Sequence, residues 1–291
     1  MRRTSALFVA AFLVLLPRAA AALDWPVADR VVTGTFGEDR GDHFLNGIDI
    51  GGGGQDVHPV LPGELVFRGD EAADYSSLPR GVGTFVVLRH DQGLLTLYAH
   101  LQNGSLGPER ASYQPVDRIG ITGETGDANG PHLHFSVFDL EAGSVVNPLS
   151  FLPPLAPRLP PVIRRVAALI GEKRVTLDNG VVLPPGKARI LAEAFVLRED
   201  VSFSWPMAPA SLAVSLDGRE VSRITFDSLQ VSQGQAVLSG TSLGHGQVYQ
   251  PDGTLVCAEV DFPPGDTRLT VSVRNAAGAE TARTILVSVR Q

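Results

Sequence analysis

Cysteine is almost absent from the sequence, and Cys257 is the only one among 291 residues. A single cysteine cannot form a disulfide within the chain, so packing alone must hold the fold together. We expect Cys257 to pack as a small buried apolar side chain. Basic residues are also few: 24 lysines and arginines stand against 31 aspartates and glutamates, a net charge of −7. This balance argues against a nucleic-acid-binding protein, because such proteins usually present a basic face.

Long apolar runs are missing after residue 22. The N-terminal run Ala6–Leu16 is preceded by two arginines and followed by three alanines at 20–22, which is the arrangement of a secretory signal peptide over residues 1–22. Cleavage there predicts a mature chain that starts at Leu23 and lies outside the cytoplasm, in the periplasm or the extracellular space. The run is too short to span a bilayer comfortably, so we expect no stable membrane span, and an uncleaved anchor is the weaker alternative.

Helical periodicity of useful length is missing as well. Residues 23–152 instead read as short strands joined by glycine-rich turns, for example the runs 83–89 and 94–100 on either side of a tight turn. The hydrophobic fraction of 44% is enough for real cores, and a length of 291 residues suggests about two domains. We predict an all-β chain, with an antiparallel β-sheet domain over residues 23–152.

The second half begins with a proline-rich connector, residues 153–161, which we expect to be stiff. Residues 162–291 then return to short alternating strands, and an Asn-Gly pair at 179–180 predicts a hairpin. The pattern favours an immunoglobulin-like β-sandwich, although the Cys…Trp…Cys signature of antibody domains is missing. No constellation of catalytic type occurs there. Spacing, substrate positioning, partner contact and a purely structural role all stay open for this half.

Histidines carry the candidate chemistry of the first half. His132 and His134 are two residues apart in a strand-like run, so both rings project to the same face. Two imidazoles so placed can bind a metal, or one can bind while the other moves protons. Two unrelated histidines on a half-buried strand are the plainer interpretation. Of the other histidines, His58 and His90 read as structural and His245 as a surface residue.

Two further histidines and one carboxylate are candidates to join this pair: His43, His100 and Asp49. Asp49 interrupts an apolar strand pattern and has no obvious local capping role. A buried carboxylate there needs a metal or a cationic partner. His100 ends a strand that otherwise consists mainly of apolar side chains.

Four short pieces of the first half follow each other with a definite spacing. They are Asn46–Ile50, Leu94–Leu101 with its Tyr-Ala-His, Ile119–Gly123, and Gly130–Phe135 with the run Gly-Pro-His-Leu-His-Phe. Together these pieces resemble the lysostaphin-type zinc metalloendopeptidases, which cut peptidoglycan cross-bridges. The resemblance covers roughly residues 30–150, about one domain. It implies the family fold, an antiparallel β-domain with a groove, known as a duplicated hybrid motif.

The resemblance also implies a site. The family binds one zinc ion through a histidine, an aspartate four residues later, and the second histidine of the His-x-His pair. Asp49 and His134 would then be metal ligands, and His100 and His132 would flank the metal and handle water and the developing oxyanion. Three protein ligands leave an open position where zinc makes a bound water acidic, and a neighbouring imidazole can accept its proton.

One position departs from the family pattern. Leu45 stands where the family has its first histidine ligand, and a leucine cannot bind a metal. His43 lies two residues earlier. If the segment is extended, both residues share a face with Asp49, and a bulge would allow His43 to act as the third ligand.

Two functions follow from the resemblance, and both stay open. The first is a zinc metalloendopeptidase that hydrolyses peptide bonds of bacterial peptidoglycan, impaired by the loss of one ligand. The second is a non-catalytic member that binds peptidoglycan peptides or regulates another cell-wall hydrolase. A structural envelope protein that works through its sandwich is a third and weaker interpretation. Specificity would depend on the loops 51–62, 70–83 and 102–117.

Overall fold

The computed structural model describes residues 23–73, 81–155, 159–197 and 206–290. The expected signal peptide, residues 1–22, lies outside the described residues, as do residues 74–80 and 156–158 of the expected loop and connector. Within the described ranges, no helix is long and apolar enough to cross a membrane. Nearly all regular structure there is β, as the sequence predicts.

The described part of the first half contains ten strands and one turn of 3-10 helix, Pro148–Ser150. The strands are β1 Val32–Gly34, β2 Ile48–Gly51, β3 Asp56–Val57, β4 Gly63–Gly69, β5 Thr84–His90, β6 Leu94–Leu101, β7 Ser112–Tyr113, β8 Gly120–Ile121, β9 His132–Asp139 and β10 Ser144–Val146. The longer ones coincide with runs of β-branched and aromatic residues, which suit a pleated and half-buried surface.

The described part of the second half contains eleven strands and a one-turn helix, α1 His245–Val248. The strands are β11 Val162–Ile170, β12 Lys173–Thr176, β13 Val181–Leu183, β14 Gly186–Phe195, β15 Ser211–Leu216, β16 Arg219–Thr225, β17 Ser228–Ser232, β18 Gln235–Leu238, β19 Leu255–Phe262, β20 Gly265–Arg274 and β21 Glu280–Val289.

The main sheet is antiparallel and centred on β9. Its strands have the order β18, β17, β10, β9, β6, β5, β4, β7, and β2 with its partner β1 also joins β9. Along β9, the alternate side chains of Leu133, Phe135 and Val137 are fully buried in the apolar core. The histidines of β9 therefore face the other way, because neighbouring residues of a strand point to opposite faces. The predicted antiparallel domain is confirmed.

The other strands of the second half form two sheets, with the orders β12-β11-β14-β19 and β13-β21-β20-β15-β16. Val166 and Ile190 of one sheet and Val271 and Ile285 of the other are buried in a common apolar core. This arrangement is a β-sandwich; its immunoglobulin-like class stays a prediction. Cys257 is buried as predicted, and burial raises the pKa of its thiol to about 12.

The Asn-Gly turn at 179–180 does not form the predicted hairpin. β12 before the turn pairs with β11 in one sheet, whereas β13 after it pairs in parallel with β21 in the other. The turn carries the chain between the two sheets of the sandwich. The hairpin prediction is wrong because the same turn residues serve both kinds of connection.

One hairpin of the second half belongs to the sheet of the first half. β17 pairs with β10 through the positions Val145↔Leu229 and Val146↔Ser228, and β18 continues the sheet outward. The sequence divides the chain into residues 23–152 and 162–291, but the strand pairing crosses this division.

Candidate functional site

The candidate site lies where β2, β6 and β9 meet. Asp49 on β2 is the direct antiparallel partner of His134 on β9, and Ala99 on β6 is the partner of His134 on its other side. This register places His100, the next residue of β6, beside both histidines of β9. The ring centroid of His100 is 4.8 Å from that of His132 and 5.9 Å from that of His134. The structure thus brings together all the predicted site residues except His43.

A continuous series of polar contacts runs through the site, and we term Arg40, Asp49, His134 and Ser136 the polar chain. Nη2 of Arg40 donates to Oδ2 of Asp49 at 2.6 Å. Oδ1 of Asp49 lies 2.9 Å from Nδ1 of His134. Nε2 of His134 in turn lies 2.9 Å from Oγ of Ser136. Asp49, His134 and Ser136 are all buried, so the contacts among these three form out of reach of bulk water, whereas the side chain of Arg40 is 32% exposed.

Protons in the polar chain can be assigned from its partners. Burial alone would raise the pKa of Asp49, but the hydrogen bond from His134 and the charge of Arg40 outweigh it and lower the pKa to about 2. An ionised carboxylate can only accept, so Nδ1 of His134 carries the hydrogen. In the neutral ring, Nε2 then accepts from the hydroxyl of Ser136. Nδ1 of His134 therefore has no lone pair to offer a metal in this arrangement.

Asp49, His134 and Ser136 have the connectivity of a hydrolytic triad, but Ser136 is not placed as a nucleophile. Its exposure is 0%. A Cβ on Gly47 would lie 2.6 Å from Oγ of Ser136, so the backbone of the neighbouring segment covers the hydroxyl. A nucleophile must reach the substrate carbonyl. The hydroxyl of Ser136 instead fixes the orientation of the imidazole.

His100 and His132 each direct Nδ1 to a backbone carbonyl, and Nε2 of His132 lies 3.8 Å from Oδ1 of Asp49. Nδ1 of His100 donates to the carbonyl oxygen of Thr125, and Nδ1 of His132 donates to that of Gly130, both at 2.8 Å. Carbonyl oxygens only accept, so Nε2 of a neutral His100 ring keeps its lone pair. Burial, assisted by the neighbouring imidazoles, lowers the pKa of His100 to about 4. The His100 ring is therefore neutral near pH 7.

The backbone of His100 adopts a left-handed conformation with φ of 60°. Such a conformation costs a residue other than glycine roughly 1–3 kcal/mol. The N–H of His100 donates to the carbonyl oxygen of Val82 at 3.0 Å, which holds the strained residue in place. Strain of this kind concentrates at ligand sites, where it orients a side chain that regular strand geometry would turn away.

Residues 35–45, which we term the Arg40 segment, fold back on themselves before β2. The N–H of Leu45 donates to the carbonyl of Glu38 at 2.8 Å, and the N–H of Arg40 donates to that of His43 at 3.0 Å. This turn leaves the side chain of His43 65% exposed. The expectation that an extended segment directs His43 into the site is not met, because the chain turns between residues 40 and 43.

The side chains of the site do not fit the zinc ion that the resemblance implies. Oδ2 of Asp49 is taken by a fixed positive charge, the guanidinium of Arg40. Leu45 is buried and offers no donor atom. Among the residues that the structure describes, no group of three or more His, Cys, Asp or Glu side chains is arranged to hold a metal ion. A zinc ion at Asp49 would also be repelled by the neighbouring arginine.

Two residues of the site, Arg40 and Glu38, were not identified from the sequence. Oε1 of Glu38 lies 3.4 Å from Nη2 of Arg40. Burial raises the pKa of Glu38 to about 7, although Arg40 and a hydrogen bond from Thr35 lower it. The one available signal was the need of Asp49 for a metal or cationic partner. Nothing in the spacing of the motifs indicates which cation satisfies that need.

His245 is not a surface residue, contrary to the interpretation from the sequence. Its Nε2 lies 2.7 Å from Oδ1 of Asp39. Its ring stacks on Tyr249 with centroids 5.4 Å apart and meets Phe44 edge-on at 5.5 Å. These contacts connect the second half of the chain to the Arg40 segment.

A cavity of about 630 Å³ lies behind the Arg40 segment, between the two halves of the chain. Its walls include Glu38, Ala208, Tyr249, Arg164 and Arg174. The two arginines are each paired with a carboxylate at 2.6 Å. The cavity therefore marks where the second half approaches the segment, and neither His100 nor His132 lines it.

Known proteins match the chain in two separate stretches. Residues 43–148 match the model of peptidase family M23. Residues 160–290 match a second family model, whose description names no function. The first match contains Asp49 and all three histidines of the site, whereas Arg40 lies just before it.

Two relatives illustrate the similarity. DD-carboxypeptidase/endopeptidase Mpg of Neisseria meningitidis serogroup B is 33% identical over 97 residues, which are 33% of this chain and 20% of that protein. The NlpD/LppB homolog of Buchnera aphidicola subsp. Acyrthosiphon pisum is 30% identical over 129 residues, which are 44% of this chain and 35% of that protein. The chain thus spans well under half the length of these relatives. A crystal structure of a zinc containing peptidase from Vibrio cholerae is 25% identical over 40% of this chain and 37% of that chain, with a TM-score of 0.34.

Proposed function

We propose, from the premise that residues 43–148 form a domain of peptidase family M23, that this chain binds peptides of bacterial peptidoglycan without hydrolysing them. The polar chain carries the proposal, because Arg40 takes the carboxylate that the resemblance assigns to zinc. The similarity to a DD-carboxypeptidase/endopeptidase supports wall peptides as the ligand class. Export by the predicted signal peptide would bring the chain to that ligand, in the periplasm or outside the cell.

Hydrolysis by the family's route requires an open metal position with an activated water. Leu45 supplies no ligand where the resemblance expects one. Oδ2 of Asp49 faces a guanidinium, and Nδ1 of His134 faces Oδ1 of the same aspartate. These contacts leave no set of three donors for the metal, so they support a binding role over a hydrolytic one.

Recognition of the peptide is assigned to His100 and His132. Their ring centroids are 4.8 Å apart, and the neutral His100 ring offers a lone pair at Nε2, whereas Nε2 of His132 lies 3.8 Å from Oδ1 of Asp49. A backbone N–H group of an extended peptide is a suitable donor for Nε2 of His100. The strained backbone of His100 supports this role, because strain of this kind concentrates at residues that face a ligand.

Binding and hydrolysis can be measured separately on residues 23–291 with purified cell wall. We expect the chain to sediment with the wall and to release no peptides. His100→Ala combined with His132→Ala removes both rings of the proposed recognition pair and should weaken binding by about tenfold or more. His58→Ala is the matched control, because that ring contacts the carbonyl of Asp117 and lies outside the proposed recognition pair.

Each other outcome identifies a different function. Release of peptides that stops when the metal is chelated would establish the zinc endopeptidase instead. Absence of wall binding in the unmodified chain would favour a structural envelope protein. Binding that survives the double histidine variant would show that another surface recognises the wall.

A further inference from the structure

We infer that Arg40 is the permanent cation of this site, held in the place of a metal ion by the second half of the chain. Its guanidinium contacts two buried carboxylates, Oδ2 of Asp49 at 2.6 Å and Oε1 of Glu38 at 3.4 Å. A buried carboxylate without a partner is strongly destabilising, so these groups need a cation that is always present. This inference concerns the cation that neutralises Asp49, whereas the proposed function concerns the wall peptide that enters the site. It therefore goes beyond wall binding.

Gly34 leaves the space that the guanidinium occupies. A Cβ on Gly34 would lie 2.6 Å from Nη2 of Arg40 and 2.8 Å from Oδ2 of Asp49, closer than real Cβ atoms approach such groups. The same point lies 3.1 Å from Cδ2 of Leu45, which adds an apolar wall. The end of the guanidinium that meets Asp49 therefore occupies a fitted space, although the side chain of Arg40 as a whole is 32% exposed.

Two hydrogen bonds between the Arg40 segment and the second half hold the segment on its N-terminal side, one donated by each. Oγ1 of Thr35 donates to the carbonyl oxygen of Ala208 at 2.8 Å. Oη of Tyr249 donates to the carbonyl oxygen of Gly37 at 2.9 Å. A Cβ on Gly37 would lie only 2.2 Å from Cδ1 of Phe226, so the segment also packs tightly against that ring.

Aromatic packing holds the segment on the C-terminal side of Arg40. The ring centroid of Phe44 lies 6.4 Å from that of Phe226, 5.5 Å from His245 and 6.1 Å from Tyr249. Edge-to-face and tilted pairs at such separations are favourable. The segment is thus fixed before and after Arg40. Arg40 cannot leave Asp49 without a change in these contacts or a rotation of its own side chain.

Zinc binding tests whether Arg40 fills the metal position. Zinc content and affinity are measured by elemental analysis and calorimetry on residues 23–291, with circular dichroism as the check on folding. Leu45→His restores a ligand and keeps the arginine. Leu45→His with Arg40→Gln restores the ligand and removes the cation. Leu45→His with Arg40→Lys restores the ligand and keeps a positive charge.

We expect one zinc ion per chain only in Leu45→His with Arg40→Gln. Its affinity should exceed that of Leu45→His alone by on the order of 100-fold, because a neighbouring positive charge repels the metal. The lysine version should remain close to Leu45→His alone. One zinc per unmodified chain, equal affinity with and without Arg40, or no zinc in the folded glutamine version would each overturn the inference. The inference rests on the same contact of Arg40 with Asp49 as the proposed function, but zinc content is measured without cell wall, so failure of wall binding and failure of this inference are distinguished.

Hydrogen exchange of residues 35–45 tests the part assigned to the second half. Gly37→Ala would drive a Cβ into Phe226, whereas Gly41→Ala is the matched control, since its Cβ would meet nothing within 4 Å. Both glycines have positive φ, 81° and 90°, so both variants carry backbone strain. We expect Gly37→Ala to speed exchange in the segment by about tenfold more than Gly41→Ala does. Equal exchange in the two variants would show that the second half does not hold the segment.

Discussion

Two buried carboxylates share the guanidinium of Arg40, and they share it unequally. Asp49 lies 2.6 Å from Nη2 and also receives a hydrogen bond from His134, and its pKa falls to about 2. Glu38 lies at 3.4 Å, and burial raises its pKa to about 7. Near neutral pH the site therefore contains one fixed negative charge and one acid that is about half protonated.

Glu38→Gln should change how stability depends on pH. Glu38 has a folded pKa of about 7 against an ordinary value of 4.5, so between these values the folded state keeps a proton that the unfolded state has lost. Its contribution to stability is present below pH 4.5 and is lost as the pH rises through 7. Glutamine mimics the protonated form at every pH. The free energy of unfolding of the variant, minus that of the unmodified chain, should rise by roughly 2–3 kcal/mol from pH 5 to pH 8.

Urea unfolding at pH 5, 6.5 and 8 measures this difference. Glu109→Gln provides a control for the loss of one negative charge, because the side chain of Glu109 is 75% exposed. Subtraction of the unmodified chain's free energy of unfolding also cancels the contribution of His100. The lowered pKa of His100 makes stability rise with pH between about pH 4 and 6.5, which is opposite to the effect of Glu38. A difference that stays constant from pH 5 to 8 would contradict the protonation of buried Glu38.

Part of the site could be predicted from single residues, and part could not. The need of Asp49 for a metal or a cation follows from one carboxylate in an apolar strand. The meeting of His100, His132 and Asp49 follows from the motifs. The partner itself, Arg40, depends on how the chain folds back before β2, and no local pattern encodes that turn. The same fold-back carries His43 to the surface, which the assumption of an extended segment cannot anticipate.

β9 organises the molecule at the level of elements, because it pairs with β2, β6 and β10. Its strand-forming residues and its His-x-His run are visible in the sequence, and so are most strands around it. The sequence does not show that the hairpin β17–β18 joins the same sheet. Its partner strand β10 lies about 80 residues earlier, and alternation within a strand does not identify a distant partner.

Leu229→Ala should destabilise the protein although it lies in the second half. Leu229 on β17 is 3% exposed and pairs with Val145 of β10. Removal of a buried leucine side chain costs about 2–5 kcal/mol, because the space left behind is not refilled. Val231→Ala is the matched control on the same strand, since Val231 is 77% exposed. Its effect should stay within about 0.5 kcal/mol.

Chemical unfolding followed by tryptophan fluorescence measures both variants. With Trp205, the second tryptophan of the chain, replaced by phenylalanine throughout, the signal comes from Trp25, which is buried in the first half. Equal effects of Leu229→Ala and Val231→Ala would show that β17 adds nothing to the stability of that sheet. A shift in the Trp25 signal for Leu229→Ala alone would show that the hairpin stabilises the first half.

The whole molecule consists of two halves that share structure in two places. The hairpin β17–β18 completes the main sheet, and residues around Phe226 and Tyr249 pack against the Arg40 segment. A sandwich attached only through a proline-rich connector would move independently. Here the described residues of the second half contact the Arg40 segment and so help to support the site.

Unfolding of residues 23–291 should therefore occur in one thermal transition. Proteins with two domains commonly show separate transitions, but the shared sheet and the packing at Tyr249 make loss of one half costly for the other. Calorimetry should give a calorimetric enthalpy equal to the van't Hoff enthalpy. Leu229→Ala combined with Tyr249→Phe weakens both shared places and should split the transition into two. Two resolved transitions in the unmodified chain would mean that the halves are energetically independent, and Arg40 would then have to be held in the site by the first half alone.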